Sequence, residues 1–116
     1  MKGMKKIIKP WGYELIWVRT KKYVGKVLHI NKGETLSLQY HKIKDESIYV
    51  MRGLIELQIK VNKKLIKKKM KQNAYQRIKP KTIHRMRAIK DSDVIELSTP
   101  ELNDVVRLED KYGRVK

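Results

Sequence analysis

The sequence contains no cysteine. That absence excludes a disulfide framework, a thiolate zinc site and a cysteine nucleophile together. No run of roughly 18 apolar residues occurs, so no helical membrane span is expected. The amino-terminal stretch Met1–Gly12 has no apolar signal core, which argues against secretion by that route and makes the cytosol the expected compartment. Acidic residues are scarce: 12 Asp and Glu stand against 29 Lys and Arg, giving a formal net charge of +17. No internal repeat, low-complexity linker or Pro/Gly-rich boundary divides the 116 residues, so one domain over residues 1–116 is expected, with room for one modest core. A helical nucleic-acid-binding domain is disfavoured, because no helical apolar stripe of adequate length is present.

The hydrophobic fraction is 41%, close to that of ordinary globular chains, which argues against wholesale disorder. The positive charge is unevenly spread. Residues 57–90 carry 13 basic side chains and no acidic one, whereas residues 91–116 carry 4 basic and 7 acidic ones. The densest run, Lys60–Lys71, reads either as a phosphate-neutralising surface or as a solvated hairpin. Lysines outnumber arginines 22 to 7 and no aromatic residue interleaves with the run, so the hairpin is the preferred reading and nucleic acid is not the expected partner. A positive field of this kind also draws in small anionic substrates.

The remaining pattern is one of short β-type segments punctuated by turns. Gly12–Val18, Val24–Ile30, Thr35–His41, Ile48–Met51 and Leu54–Val61 come first, with Asn31-Lys-Gly33 and Arg52-Gly53 as turn signals. Ala74–Ile78, His84–Ile89 and Val94–Leu97 complete the set, and Leu102–Asp110 is expected as a short helix. About nine short strands at near-regular spacing predict an all-β sandwich or barrel.

Three histidines are present: His29, His41 and His84. Gln39 and His41 are two apart on an expected strand and therefore share a face. Glu46 follows past the polar turn Lys42–Asp45 and can return onto the same interior, and His84 opens a later strand. Two imidazoles, a carboxylate and an amide oxygen form a mixed nitrogen and oxygen set. Such a set suits one divalent Zn, Mn, Fe, Co or Ni ion without selecting among them.

The spacing of these residues is informative. From Gly33, five residues lead to Gln39, one more to His41, four to Glu46 and six to Gly53. This resembles the first motif of the cupin superfamily, G-x5-H-x-H-x3,4-E-x6-G, with Gln in the first His position. The spacing of the second cupin motif, G-x5-P-x-G-x2-H-x3-N, falls on Asn73, Lys79, Lys81, His84 and Ala88, where only His84 keeps the family's residue type, Pro80 sits one place later than the motif's Pro, and Asn73 is a reasonable substitute for Gly at a turn needing positive φ. A closer resemblance is to the type II mannose-6-phosphate isomerase module, the carboxy-terminal half of bifunctional mannose-1-phosphate guanylyltransferase/isomerase enzymes. Lys9-Pro-Trp-Gly-Tyr-Glu14 is similar to its K-P-W-G-x-x-E opening and Ser37-Leu-Gln-Tyr-His41 to its S-L-Q-x-H. Thr82–Met86 is similar to its I-H-R segment, and Asp104–Arg114 to its D-I-V-R-L-x-D-x-Y-G-R ending. Departures are Lys44 for Arg, Ser47 for His and Ile48 for Trp.

The resemblance implies a small cupin barrel, a double-stranded β-helix or jelly roll. It also implies isomerisation between an aldose phosphate and a ketose phosphate, mannose-6-phosphate and fructose-6-phosphate by preference. Gln39, His41, Glu46 and His84 are then the expected metal ligands. Glu96 and Lys44 are the candidate catalytic groups, and Arg107 and Arg85 the candidate phosphate-binding groups, with Arg107 preferred. Strand alternation counts against Arg85, which adjoins His84. His29 is expected to be structural. A homodimer is expected, with Trp11 and the amino-terminal strand as contact elements. Two alternatives stay open: a metal- and sugar-binding cupin without catalysis, motivated by Ser47 and Ile48, and a nucleic-acid-binding protein using Lys60–Lys71.

Overall fold

The computed structural model describes residues 4–115; residues 1–3 and 116, the ends of the expected 1–116 domain, lie outside the described residues. The described chain is all-β. Its strands in order are β1 (Lys5–Lys9), β2 (Gly12–Arg19), β3 (Val24–Ile30), β4 (Leu38–His41), β5 (Glu46–Arg52) and β6 (Leu54–Val61). They continue as β7 (Lys64–Lys71), β8 (Tyr75–Ile78), β9 (His84–Ala88), β10 (Ser92–Ser98) and β11 (Val105–Glu109). They form a six-stranded sheet in the order β1-β2-β3-β10-β5-β8 and a five-stranded sheet in the order β11-β4-β9-β6-β7. Every strand pairing is antiparallel. No helix long and apolar enough to cross a membrane occurs among the described residues.

Period-two alternation sets which side chains meet between the sheets. In β5, Glu46, Ile48 and Val50 point inward while Ser47 and Tyr49 face out. In β6, Ile55, Leu57 and Ile59 point inward, opposite Ala88, Met86 and His84 of β9. The core formed this way also takes Leu28 and Ile30 from β3, Val94 from β10 and Met70 from β7. Two turns depend on unusual backbone. Gly53 has φ 98°, and a Cβ there would collide with the Ser92 hydroxyl and the Asp91 carbonyl. Asn62 and Lys63 both have positive φ, 49° and 68°, as a two-residue type I′ hairpin turn requires between β6 and β7.

The Lys60–Lys71 run is therefore a hairpin, and β7 buries only Met70. The helix expected over Leu102–Asp110 is corrected: Val105–Glu109 is strand β11, paired with β4 through Val105↔His41 and Arg107↔Gln39. Consecutive β-branched Val105 and Val106 favour the pleat, and β4 offers an edge to pair with. Trp11 is 4% exposed and belongs to the core, so it is not an external contact element.

Candidate metal centre and cavity

Burying charged groups is costly unless they are paired, so charges in an interior mark a site. Here His41, Lys44, Glu46, His84 and Glu96 are all buried at one end of the space between the sheets. His41 ends β4 and His84 begins β9 on the five-stranded sheet, whereas Glu46 begins β5 and Glu96 lies in β10 on the six-stranded sheet. Glu46 Oε1 receives both imidazoles, at 3.4 Å from His41 Nε2 and 3.2 Å from His84 Nε2. One ligand atom from each of the three residues lies within 4.8 Å of the others. Gln39, on the same face of β4, has its amide nitrogen 3.4 Å from His41 Nε2, and its amide oxygen accepts a 2.6 Å bond from the Ser37 hydroxyl. A half-turn of that amide presents its oxygen to the imidazoles.

Both rings are held from behind. His41 Nδ1 lies 3.2 Å from Asp104 Oδ1, and His84 Nδ1 lies 2.9 Å from the Thr82 carbonyl oxygen. Occupying each Nδ1 fixes the rings with Nε2 turned inward, the arrangement that orients histidine ligands in metal sites. Asp104 also ties down the β4–β5 turn, its Oδ2 accepting the backbone N–H of Ile43 at 2.7 Å and of Lys44 at 2.9 Å. Partial burial raises the Asp104 pKa, but these N–H groups and His41 outweigh it and hold the carboxyl below its usual value. Asp104 was legible as the first residue of the carboxy-terminal motif, yet nothing in the sequence assigned it this role.

The same competition sets the other charges. Burial raises the Glu46 pKa, but hydrogen bonds from His41 and His84 and contact with Glu96 and the Lys44 charge hold it well below the usual carboxylate range. Burial lowers the His84 pKa, and the hydrogen bond and charge of Glu46 more than offset this, so His84 is raised. Lys44 Nζ sits 3.2 Å from Glu96 Oε2 and 3.7 Å from Glu46 Oε2. Burial opposes its charge, but the two carboxylates raise its pKa. Glu96 is pushed up to about 7, first by burial and then by the negative charge of Glu46, with Lys44 opposing.

His41, Gln39, Lys44 and Glu96 line a cavity of about 810 Å³. Trp11, Leu28 and Leu36 supply apolar wall, and the ion pair of Lys26 with Glu14, at 3.2 Å, lies within it. Basic side chains gather there: Lys5 and Lys9 from β1, Arg19, Arg107 and Arg114. Among the described residues, Arg85 Nε and Arg107 Nε are buried without a hydrogen-bond partner; of the two, Arg107 lines this cavity, in a residue that the β11–β4 register sets opposite Gln39. Arg85 is not brought to this cavity. It lies on the outer side of β9, as strand alternation requires, pairs with Glu109 at 3.1 Å, and lines a separate open groove with Thr35 and Lys111. His29 lies outside as well, stacked on Tyr13 at 4.9 Å and bonded to Asp93 at 2.6 Å. Ser47 is exposed and Ile48 sits in the core, so neither departure from the family pattern lines the cavity.

This donor set fits a divalent ion. It offers two oriented imidazole nitrogens, one carboxylate that stays ionised, and an adjacent amide.

A family model described as mannose-6-phosphate isomerase C-terminal matches residues 1–110. No curated protein matches the sequence. Among solved structures, KdgF from Halomonas sp. is similar with a TM-score of 0.76 at 20% identity, covering 87% of this chain and 90% of that one. Oxalate decarboxylase from Bacillus subtilis is similar with a TM-score of 0.79 at 14% identity, over 91% of this chain but 30% of that one. The capsular polysaccharide assembling protein CapF from Staphylococcus aureus is similar with a TM-score of 0.75 at 16% identity, over 91% of this chain and 34% of that one. At these identities the likeness concerns the fold.

Proposed function

The chain belongs to the mannose-6-phosphate isomerase C-terminal family and has the cupin fold, and from that premise we propose that it interconverts an aldose phosphate and a ketose phosphate, mannose-6-phosphate and fructose-6-phosphate first among them. The observation that carries the reading is the placement of Glu96. It is a buried carboxyl poised near neutrality, held by Lys44 beside the His41–Glu46–His84 cluster in a cavity lined with cations.

Aldose–ketose exchange moves one proton between C2 and C1 of the sugar and the hydroxyl proton between O2 and O1, with negative charge on those oxygens in between. As a carboxylate, Glu96 accepts the proton from one carbon and returns it to the other, and a pKa near the working pH suits both transfers. Lys44 holds that carboxylate in place and offers its ammonium hydrogens to a sugar oxygen. A divalent ion held by His41, Glu46 and His84, with Gln39 completing the set, would supply Lewis-acid stabilisation of the oxygen charge. Asp104 and the Thr82 carbonyl keep the imidazoles turned to that task. Arg107, which lines the cavity with its Nε free of any partner among the described residues, is the best-placed phosphate-binding group, and the charge of Lys26 on the same wall is balanced by Glu14. Arg85, on the outer side of β9, takes no part. Ser47 and Ile48 lie off the cavity wall, and binding of metal and sugar phosphate without turnover is the result that would favour a binding-only cupin.

The test is elemental analysis of the purified protein with a coupled mannose-6-phosphate assay, run with chelator and with added Zn, Mn, Fe, Co or Ni. Chelator-sensitive turnover restored by one of these ions is expected. Bound metal without turnover across that panel would overturn the substrate assignment, and undiminished turnover by metal-free protein would overturn the mechanism.

A further inference from the structure

Pairing between β6 and β9 stops at Ile59↔His84, whereas β6 and β7 run on together to Val61↔Lys64. The end of that hairpin therefore projects past its neighbour, tied at its base by the Lys60 N–H to the Ile83 carbonyl. Turns that stand in water are normally polar. This one exposes Val61, Leu65 and Ile66, at 43%, 44% and 49%. The β4–β5 turn adds Ile43, 63% exposed on a backbone fixed by Asp104. The strand order β4-β9-β6-β7 sets that turn at the same end of the sheet, about 10–14 Å from the hairpin.

Lysines surround these aliphatic side chains. Residues 60–71 hold seven lysines and no acidic residue. Lys60, Lys63, Lys64 and Lys67 are exposed beside Val61, Leu65 and Ile66, and among the described residues none of the four forms an ion pair. Lys42, Lys79 and Lys81 are exposed on the two adjoining connections. Of the acidic groups at this end, Asp45 pairs with Arg77 and Asp104 faces His41. Glu101 lies in the β10–β11 connection, which leads to the other edge of the five-stranded sheet. Glu34, Asp91 and Asp110 fall at the far end of the sandwich, with the β3–β4 and β9–β10 connections and the close of β11.

We propose that this end of the sandwich docks on a membrane surface of anionic lipid. The aliphatic tip enters the boundary between headgroups and acyl chains, and the lysines around it meet the lipid phosphates and carboxylates. Other uses of these residues account for only part of the arrangement. Lysine on an edge strand keeps foreign strands from pairing with it, which explains the charge of β7 but not an apolar tip. A nucleic-acid surface also sets lysines on phosphates, but it stacks bases on aromatic rings. The hairpin carries no aromatic residue, and its aliphatic side chains would stay in water. An anionic lipid surface uses both features. Charge draws the protein in, by roughly fivefold in affinity for each lysine near the surface, and the apolar side chains then reach hydrocarbon. The cavity borders β11, at the opposite edge of this sheet from β7, so the hairpin does not cover it.

The test is co-sedimentation of the full chain with vesicles of phosphatidylcholine containing about 30% phosphatidylserine, beside vesicles of phosphatidylcholine alone. Binding to the first and not to the second is expected. Leu65→Ser with Ile66→Ser leaves the charge unchanged and should weaken binding by about 10-fold or more. Lys63→Glu with Lys64→Glu should weaken it by about 100-fold or more. Lys32→Glu with Lys90→Glu makes the same charge change at the far end and should cost about 3-fold or less. All six positions are exposed, circular dichroism melts check each fold, and Ile43→Ser on the neighbouring turn is a second apolar variant. Because the sequence has no cysteine, Leu65→Cys and Lys32→Cys each accept one environment-sensitive dye, and only the dye at residue 65 should shift to the blue on the anionic vesicles. Absence of binding to those vesicles would overturn the proposal. Binding that both apolar variants leave unchanged would overturn it too, and equal affinity for a duplex oligonucleotide in that case would assign the surface to nucleic acid.

Discussion

Replacing Asp104 separates two jobs that one carboxylate performs. Its Oδ2 accepts the backbone N–H groups of Ile43 and Lys44, and its Oδ1 faces His41 Nδ1. In Asp104→Ala the two N–H groups lose a charged acceptor. Water reaches the exposed Ile43 end, so the loss of stability should be about 2 kcal/mol rather than the sum of two buried bonds. Asp104→Asn behaves differently. Asparagine has one oxygen and one NH2 group, and the converging backbone N–H pair claims the oxygen. The NH2 group then faces His41 Nδ1, and two donors cannot share that contact. His41 must carry its proton on Nε2, the nitrogen that points at Glu46, where it blocks coordination. The order therefore inverts between the two measurements. Asp104→Asn should lose only about 1 kcal/mol of stability, but about 10- to 100-fold in divalent-metal affinity, while Asp104→Ala, with His41 free to choose its tautomer, should lose less than about 10-fold. Urea unfolding gives the first quantity and titration calorimetry with Zn or Co the second. If Asp104→Asn bound metal as tightly as the wild type, or Asp104→Ala bound it more weakly than Asp104→Asn, this account of His41 would be wrong.

Three further outcomes are expected. Only the ionised form of Glu96 can take a proton, so kcat/KM should rise with pH and level off above about 7; Glu96→Gln should lower turnover by about 10²- to 10⁴-fold while elemental analysis still finds metal, and loss of metal in that variant would assign Glu96 to the ligand set instead. Lys81 occupies the left-handed region at φ 67°, so Lys81→Gly should stabilise the fold by about 1 kcal/mol in urea unfolding, and a neutral or destabilising result would show that the strain is compensated. The Arg114 side chain and backbone hold the Asp110 carboxyl down at about 2 from its usual 3.8. A depressed carboxylate pKa contributes stability above the unfolded value and loses it as pH falls through the folded one, so wild type minus Asp110→Asn stability should shrink between pH 4 and pH 2; a difference constant across that range would deny the pairing.

The inward-facing half of the site was legible because strand alternation and motif spacing act on the same residues. Gln39 and His41 share a face by period two, and the spacing to Glu46 and His84 matched a known pattern. The structure brings the four together. Asp104 escaped because a carboxylate that holds a histidine ring from behind leaves no periodic or compositional trace, and its contact with His41 spans 63 residues. Two strands carry no sequence mark for related reasons. β1 and β7 are dominated by lysine, and β7 is exposed on both faces except at Met70, so neither shows the apolar alternation that marks a half-buried strand. Pairing with β2 and β6 makes them strands. At Val105–Glu109 the segment is too short for its period to decide, and the free edge of β4 decided it.

The residues that could hold a metal ion are divided between the two sheets, with His41 and His84 on the five-stranded sheet and Glu46 on the six-stranded one. An ion bound there is a clasp across the sandwich as well as a reagent. Unfolding would have to release it, so stability should climb with free metal, by about 4 kcal/mol at a thousand times the dissociation constant. Chelation would then soften the whole barrel rather than merely silence its chemistry, and the melting curve of this protein would serve as a gauge of how much metal its surroundings supply.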